Sequence, residues 1–471
     1  MKPRQVWATM VTLFASALFL FGCVTSVGGN AQPVDPNKVA GLDITNGPSG
    51  VKPGAPDAGL PVDGGDGGEI DRLAANAVAD VQRYWREQSP AAFNRKFEPI
   101  ATLVSYDSTG SGRTICGAST AGLVNAFYCS LNDVVAWDRG ELLPMFKESI
   151  GETAVLAVLA HEVGHALQFR LGLARETPSI VKEQQADCYT GAYFRWVAEG
   201  RSPAFQVSTG QGLNEVLTTL FQIRDSAGVT FSDDGAHGNA FDRVSAFQFG
   251  FADGPARCQR IDVAEIASRS TQGIGSTEGA EAEEQNLRLD DRQAMKDLTD
   301  SLLRAFKLAA APPRLTAGVD CGATTVDSLA SYCSESNQIT LDLDGLVRIG
   351  TPPQRGGEGG IGDFAAFAEV ASRYTLAVQQ EGGFRLDGPA AARRTACLTG
   401  YWASTIVAGK GSTLSLSPGD LDEAIAEMLA RDSLIAADVR GEALAAGFAR
   451  VEAFRVGFAS GRQETCGNTY R

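Results

Sequence analysis

The sequence is poor in histidine, in net positive charge and in long hydrophobic runs. Only three of its 471 residues are histidines, so a histidine-based site has few residues to draw on. Lys and Arg number 41 against 56 Asp and Glu, a formal net charge of −15 at pH 7. This balance argues against nucleic acid as a partner, because phosphate binding needs a basic face. Hydrophobic residues make up 44% of the chain, enough to bury a core, and the length predicts two or three domains.

The one long apolar run lies near the N-terminus, at residues 6–22. Lys2 and Arg4 precede it, and its 17 residues are short for a membrane span. It ends in Leu-Phe-Gly before Cys23, which resembles a bacterial lipoprotein signal, where the chain is cut before the cysteine and the cysteine is acylated. An uncleaved N-terminal anchor is the alternative. Both interpretations predict an extracytoplasmic protein held at the bacterial cell membrane, in the first case by a lipid anchor at Cys23.

Composition divides the chain into five segments. Residues 1–23 are interpreted as a signal peptide with its lipid-attachment cysteine. Residues 24–68, rich in Gly, Pro, Asp and Asn, are interpreted as a flexible tether. A polar stretch at residues 268–291 is interpreted as an acidic linker between a domain at 69–267 and another at 292–471.

The two domains share short sequences in the same order, which predicts an internal duplication. Five landmarks of the first domain recur in the second, 204 to 209 residues later: Cys116-Gly117-Ala118 at 321–323, Tyr128-Cys129 at 332–333, Cys188-Tyr189-Thr190-Gly191 at 397–400, Arg243-Val244 at 450–451 and Gly250-Phe251-Ala252 at 457–459. Chance does not keep five landmarks in order at nearly one shift.

Eight cysteines remain after Cys23, and an oxidising compartment favours their pairing. Separations of 13 and 70 residues in the first domain are matched by 12 and 69 in the second. The matching spans predict the same two bridges in each domain: Cys116–Cys129, Cys188–Cys258, Cys321–Cys333 and Cys397–Cys466. Each bridge restricts the unfolded chain, by about 3 kcal/mol for the short loops and about 4 kcal/mol for the long ones. Buried free thiols are the alternative.

Periodicity and turn residues predict a small sheet followed by long helices. The predicted strands are residues 103–106 and 134–137. Helices are predicted to start near residue 69 and to cover residues 152–171, 178–199, 214–224 and 239–251. Residues 154–160 are apolar on all sides of a helix, so the helix over 152–171 should be central and buried.

The motif His161-Glu162-Val163-Gly164-His165 lies in the middle of that helix. Residues four apart share a helix face, so both imidazoles can reach one ion. Zinc accepts such nitrogens, and a catalytic zinc site has three protein ligands and an open position for water. Glu162 can then act as general base toward that water. A structural histidine pair on an ordinary helix is the alternative.

The third ligand is expected on the next helix, in Glu183-Gln184-Gln185-Ala186-Asp187. Glu183 and Asp187 are four apart and share a face. Glu183 can bind the metal through an oxygen, while Asp187 can accept the remaining ring N–H of a ligating histidine. An exposed acidic pair beside Lys182 is the alternative.

These residues resemble the gluzincins, zinc metallopeptidases whose third ligand is a glutamate. The closer resemblance is to the bacterial putative neutral zinc metallopeptidase family, over residues 70–260. It rests on the cysteine landmarks, on Ala-His161-Glu162-Val-Gly-His165-Ala-Leu-Gln168, on Glu183-Gln-Gln-Ala-Asp187-Cys188, and on His237-Gly238 followed by Arg243-Val244. The resemblance implies hydrolysis of a peptide or protein substrate by zinc-activated water, with Glu162 as base.

His237 follows Asp-Asp-Gly-Ala and precedes a predicted helix. An imidazole near the zinc could stabilise the oxyanion of the tetrahedral intermediate, which would make His237 catalytic. A helix-entry residue with its ring bonded to backbone is the alternative.

The second domain retains the repeated landmarks but lacks the residues of the predicted metal site. Aligned at the local shifts, the positions of His161, Glu162, His165, Glu183, Asp187 and His237 are taken by Ser372, Arg373, Leu376, Ala392, Ala396 and Leu444. The second domain is therefore expected to be an inactive copy that packs against the first or recognises substrate or a protein partner.

The predicted fold is α+β, mainly α, with two similar zincin-like metallopeptidase domains, the second without a metal site. The predicted function is that of a membrane-anchored zinc peptidase. A lipoprotein scaffold or binding protein with a structural zinc site is the alternative.

Overall fold

The computed structural model describes residues 34–226, 229, 235–269, 286–318, 321, 328–353, 359–409, 414–417 and 419–471. The predicted lipoprotein signal with Cys23 lies outside these residues, as do residues 270–285 of the predicted linker. The described chain is a mixed α+β structure, about half helical, with small sheets. Among the described residues, no helix is both long and apolar enough to cross a membrane.

The helices are α1 (Glu69–Phe93), α2 (Leu142–Ser149), α3 (Glu152–Leu171), α4 (Ser179–Ala198), α5 (Gln211–Gln222), α6 (Ala240–Asp253), α7 (Pro255–Cys258), α8 (Val263–Arg269), α9 (Arg292–Ala305), α10 (Leu343–Ile349), α11 (Asp363–Glu381), α12 (Gly388–Val407), α13 (Asp420–Leu429), α14 (Gly447–Ser460) and α15 (Gln463–Thr469). The helices predicted over 152–171, 178–199, 214–224 and 239–251 are confirmed as α3 to α6, with ends that differ by up to three residues.

The strands are β1 (Lys38–Val39), β2 (Leu42–Asp43), β3 (Gly50–Val51), β4 (Val62–Asp63), β5 (Thr102–Tyr106), β6 (Thr114–Ile115), β7 (Ala118–Ser119), β8 (Ala126–Cys129), β9 (Val134–Asp138), β10 (Phe205–Gln206), β11 (Arg314–Ala317), β12 (Ala330–Cys333) and β13 (Gln338–Leu341). The larger sheet has the order β4-β5-β9-β8, in which β8 is an edge strand antiparallel to β9. A three-stranded sheet of order β11-β13-β12 precedes α11 in the second half.

Helix α3 is the central helix of the first half. Nearly every residue from Thr153 to Gln168 is buried, as its apolar composition predicts. Gly172 ends the helix in the left-handed conformation, at φ 79°, which glycine adopts without steric cost. Gly164 lies against α4, and a Cβ there would come within 3.2 Å of the Ala186 Cα. The glycine therefore allows the two helices to approach closely.

Helices α4 and α6 cross at two glycines. A Cβ at Gly191 would lie 2.0 Å from the Phe247 carbonyl oxygen, and one at Gly250 would lie 1.7 Å from the Cys188 carbonyl oxygen. Helices α12 and α14 cross in the same way. A Cβ at Gly400 would lie 2.0 Å from the Phe454 carbonyl oxygen, and one at Gly457 would lie 1.8 Å from the Cys397 carbonyl oxygen. Only glycine fits such backbone contact.

The predicted flexible tether over residues 24–68 is wrong from residue 34 onward. Strands β1 and β2 pair with each other, β3 pairs with β10, and β4 extends the larger sheet beside β5. Val39 is fully buried, and the Arg393 guanidinium donates to the carbonyls of Pro36 and Lys38. The segment is held by backbone hydrogen bonds in two-residue strands, which leave no hydrophobic period in a Gly- and Pro-rich sequence.

The two halves do not separate into two units. The described residues form one compact unit, and one hydrophobic cluster runs through both halves. Phe241 of α6 contacts the rings of Phe454 and Phe458 of α14, and Phe251 contacts Phe448. The two predicted domains therefore share a core, because α6 and α14 bury their apolar faces against each other.

The structure joins the eight described cysteines in the four pairs expected from the spans. The separations are 13 and 70 residues in the first half and 12 and 69 in the second: Cys116–Cys129, Cys188–Cys258, Cys321–Cys333 and Cys397–Cys466. Cys188 directly follows Asp187 on α4, so the second pair ties that helix to α7.

Non-reducing peptide mapping of the protein is expected to recover these four pairs and no bridge between the halves. The reason is that each pair lies within one half at a Cα–Cα distance of 5.3 to 5.8 Å, which suits a disulfide. A reduced and alkylated sample is the control. A peptide linking Cys188 to Cys397 would contradict the pairing.

Candidate metal centre

Helices α3 and α4 bring three predicted ligands together. Ligand atoms of His161, His165 and Glu183 all lie within 4.8 Å of one another. The two histidine Nε2 atoms are 3.1 Å apart, and the Glu183 oxygens lie 3.0 Å from Nε2 of His161 and 3.4 Å from Nε2 of His165. The carboxylate is mostly buried, so the alternative of an exposed acidic pair is wrong.

The second ring nitrogen of each histidine faces an acceptor. Nδ1 of His161 lies 2.8 Å from Asp187 Oδ1, and Nδ1 of His165 lies 2.9 Å from Gln168 Oε1. The Gln168 amide nitrogen donates to the Lys182 carbonyl, which orients its oxygen toward His165. In the neutral, metal-binding form of each ring, a proton on Nδ1 leaves the lone pair of Nε2 facing the Glu183 carboxylate. Such a cluster of acceptors fits a cation.

Arg243 completes the support of the site. This α6 side chain is buried, and its guanidinium donates to both oxygens of Asp187 at 2.9 Å. It also donates to the Ile223 carbonyl at 2.8 Å. The sequence showed Arg243 only as a repeated landmark, and its partner was missed because no local period relates residues 187 and 243. The contact of Asp225 with His237, 12 residues away, was missed for the same reason. The contact of Gln168 with His165 was not predicted although the two are three apart on α3 and so share a helix face.

The charges of the cluster are strongly coupled. Burial opposes protonation of His161, but the nearby carboxylates of Asp187 and Glu183 outweigh it and raise the pKa of the imidazole to about 10. Burial likewise opposes ionisation of Glu183, yet His165 and His161 hold the pKa of that carboxyl well below its usual range. The protein alone thus stabilises positive charge at this point, which is the electrostatic condition for a cation site.

Glu162 lies beside the ligands without joining them. It is buried, and its Oε2 accepts the backbone N–H of Tyr128 on β8 at 2.9 Å. Burial raises the pKa of Glu162, although the two histidines act against the increase. A carboxyl whose pKa is raised toward neutrality is suited to take up and release a proton.

A cleft of about 810 Å³ opens onto the site. Its walls include Tyr128 of β8, His161, Glu162 and His165 of α3, Glu183 of α4, and Ile223, His237 and Arg243. Leu131 and Phe169, two of the most exposed large apolar residues, also line it.

His237 lies in this cleft but not among the three clustered ligands. About half of its side chain is exposed, and its Nδ1 lies 3.2 Å from Asp225 Oδ1. The hydrogen bond to Asp225 raises the pKa of His237. The ring thus contacts a carboxylate, whereas the helix-entry alternative placed it against backbone.

In the second half, other residues occupy the positions that align in sequence with the candidate metal site of the first half. Ser372, Leu376, Ala392 and Ala396 are all buried and form part of the packing of α11 and α12. Arg373, at the position of Glu162, donates to the carbonyls of Leu434, Ala437 and Asp438 at 2.7 to 3.0 Å. Three buried carboxylates, Asp363, Asp420 and Glu423, cluster elsewhere in this half, at the first turns of α11 and α13.

Two histidines and a glutamate on successive helices form a ligand set that fits zinc, and a buried glutamate lies beside them. Comparison with known families agrees. Residues 20–261, just over half of the chain, match the family described as "Putative neutral zinc metallopeptidase". The chain belongs to this family.

Two curated relatives match part of the chain. The uncharacterized protein YpfJ of Escherichia coli K12 is 30% identical over 216 residues, which cover 40% of this chain and 71% of YpfJ. The uncharacterized protein Rv2575 of Mycobacterium tuberculosis is 26% identical over 182 residues, covering 34% of this chain and 62% of the relative. A search of solved structures finds no match.

Glu183→Ala is expected to lower zinc affinity by more than about 100-fold, because it removes one of three clustered donors. Asp187→Asn should cost less, about 10- to 100-fold, because it changes only the partner of a ligating ring. Competition with a chromophoric chelator measures both. Glu176→Ala, an exposed glutamate in the loop before α4, is the matched control. Unchanged affinity in Glu183→Ala would make another residue the third ligand, with His237 first to be tested.

The wild-type protein is expected to hold one zinc per chain, measured by elemental mass spectrometry against protein concentration. The apolar side chains at Leu376 and Ala392 cannot ligate, and the carboxylate cluster of the second half offers only oxygen donors. A second zinc that resists dialysis would contradict this count.

Proposed function

We propose that this protein is a zinc-dependent peptidase that works outside the cytoplasm, attached to the bacterial membrane through Cys23. The convergence of His161, His165 and Glu183 beside the buried Glu162 carries this proposal. Family membership supports zinc as the metal and a peptide or protein as the substrate. Four disulfide pairs within the halves support an oxidising compartment.

His161, His165 and Glu183 would hold the metal, with Asp187 and Gln168 fixing the two rings. When bound, zinc supplies Lewis-acid chemistry and makes water a nucleophile near neutral pH. Glu162 accepts the proton that the attacking water releases and passes it to the amine nitrogen of the departing product. The Tyr128 N–H holds one oxygen of Glu162 and so orients the carboxylate for this transfer.

His237 is assigned the role of oxyanion donor. The ring lies in the cleft with the proposed metal ligands, and its hydrogen bond to Asp225 raises the pKa of His237. A raised pKa keeps the imidazole protonated to higher pH, so the ring can donate to an oxygen that gains negative charge. Asp225 holds the ring in place through Nδ1, which leaves Nε2 for this contact.

The shape of the cleft suits an extended peptide. Strand β8 is the edge of the larger sheet, and Ala126, Phe127 and Tyr128 of this strand line the cleft. An edge strand offers backbone groups to an extended chain. Exposed Leu131 and Phe169 on the same wall favour apolar side chains of the substrate.

The second half is assigned as a degenerate copy of the first. The paired glycine crossings and the paired disulfides support this assignment. A buried arginine gives further support, since Arg243 donates to the Ile223 carbonyl and Arg450, 207 residues later, donates to the Ala430 carbonyl at the same shift.

Glu162→Gln is expected to keep zinc and to lower the rate of hydrolysis at least about 100-fold, because the amide cannot accept the proton. The test is digestion of a mixed peptide library by the full-length protein, with zinc content measured on the same sample. Glu176→Gln, the same change at an exposed position, should leave both values unchanged. Full activity in zinc-loaded Glu162→Gln would remove its role as base, and zinc without hydrolysis in the wild type would favour a scaffold with a structural zinc site.

A further inference from the structure

One carboxylate of the second half reaches the first half beside the metal centre. Asp422 lies on α13 and is 6% exposed. Its Oδ2 is 3.2 Å from Nε of Arg224, and its Oδ1 accepts the backbone N–H of Phe241 at 3.2 Å. Burial raises the pKa of Asp422 to about 6, against the opposing effect of Arg224 and of the N–H groups of Phe241 and Ala240. The carboxylate is therefore ionised at neutral pH.

The two partners of Asp422 stand at the two ends of one segment. Arg224 follows the end of α5, and Phe241 lies in the first turn of α6. His237, which lines the cleft, lies between these two residues in the sequence. Because one side chain holds both ends, the separation of these ends depends on a residue from the other half of the chain.

Inside this segment, hydrogen bonds to Asp225 set the position of His237. Asp225 directly follows Arg224, and its Oδ2 accepts the backbone N–H groups of His237 and Gly238, each at 2.7 Å. Its Oδ1 lies 3.2 Å from the His237 ring, and its own N–H donates to the Gly238 carbonyl. A shift of Arg224 is transmitted directly to Asp225, and from there to the histidine.

Phe241 connects Asp422 to the metal ligands by a second route. Its backbone N–H belongs to the N-terminal turn of α6, where a negative charge is favourable. Arg243 lies two residues further along and holds Asp187, which holds His161. Asp422 thus fixes the start of the helix from which Arg243 reaches the site.

We propose that Asp422 is a positioning residue for the active site. Through Asp422, the second half holds His237 and the N-terminal end of α6 in the positions that the reaction requires. This inference rests on the proposed function for its kinetic consequence, but its structural consequence can be measured without any activity. It gives the inactive copy a defined task in the reaction of the first half.

The structural test uses the scarcity of histidine. The full-length, zinc-loaded protein has three histidines, so its ¹³Cε1–¹H histidine spectrum contains three assignable signals. Asp422→Ala is expected to shift or broaden the His237 signal most and to move the His161 signal less, through Arg243 and Asp187. The His165 signal, whose ring contacts Gln168 of the same helix, should stay in place. Asp432→Ala, the same change at an exposed residue of the second half, should move none. An unmoved His237 signal, or equal movement of all three, would overturn the proposal.

The kinetic test separates positioning from folding. In Asp422→Ala, kcat is expected to fall about tenfold with KM within about twofold, because His237 acts on the charge of the transition state. Asp422→Asn should recover part of the loss, since its amide oxygen can still accept the Phe241 N–H.

If Asp422→Ala does not fold, Arg224→Ala removes the ion pair from the other side and should displace the same histidine signal. Unchanged kcat in a folded variant would overturn the proposal, whereas an inactive wild type would defeat only the peptidase assignment, and the histidine spectrum would still decide the role of Asp422.

Discussion

Asp187 is the residue on which the metal centre depends. It is a carboxylate with no exposed surface, and a buried charge is tolerated only when it is paired and hydrogen-bonded. Its partners come from both neighbouring helices, His161 from α3 and Arg243 from α6. Burial disfavours the charge, but Arg243 and His161 outweigh it and lower the pKa of Asp187. The ion pair thus orients the ring of His161, a candidate metal ligand, and links α3, α4 and α6.

Close backbone approach makes that pairing possible. Gly164 lets α3 approach α4, and Gly191 with Gly250 lets α4 approach α6. At the crossing of α4 and α6, an added Cβ would lie 2.0 or 1.7 Å from a carbonyl oxygen, so a larger residue there would force these two helices apart. The glycines therefore contribute to the chemistry of the site although none of them contacts it through a side chain.

The site was more predictable from the sequence than the architecture around it. The four-residue spacing of His161 with His165, and of Glu183 with Asp187, places each pair on one helix face, and a continuous helix keeps that relation. The cysteine pairs followed from comparing one half with the other. Arg243 and Asp225 were not found as partners, because their contacts join segments that no period relates. Gln168 was not found either, although the helical period places it on the same face as His165. Residues 34–68 were misjudged because two-residue strands leave no hydrophobic pattern to detect.

The contact between the halves is made twice with the roles exchanged. Asp422 of α13 accepts the N–H of Phe241 in α6, and Asn214 of α5 accepts the N–H of Gly447 in α14. The interface of a twofold-symmetric dimer has the same arrangement. There, residue i of one subunit contacts residue j of the other, and residue j of the first contacts residue i of the second. In such a dimer a single substitution alters both contacts together. Within one chain each can change alone, and here the neutral amide serves the side without metal ligands while the charged carboxylate serves the side that has them. Covalent linkage of the halves thus permits an asymmetry that identical subunits could not reach.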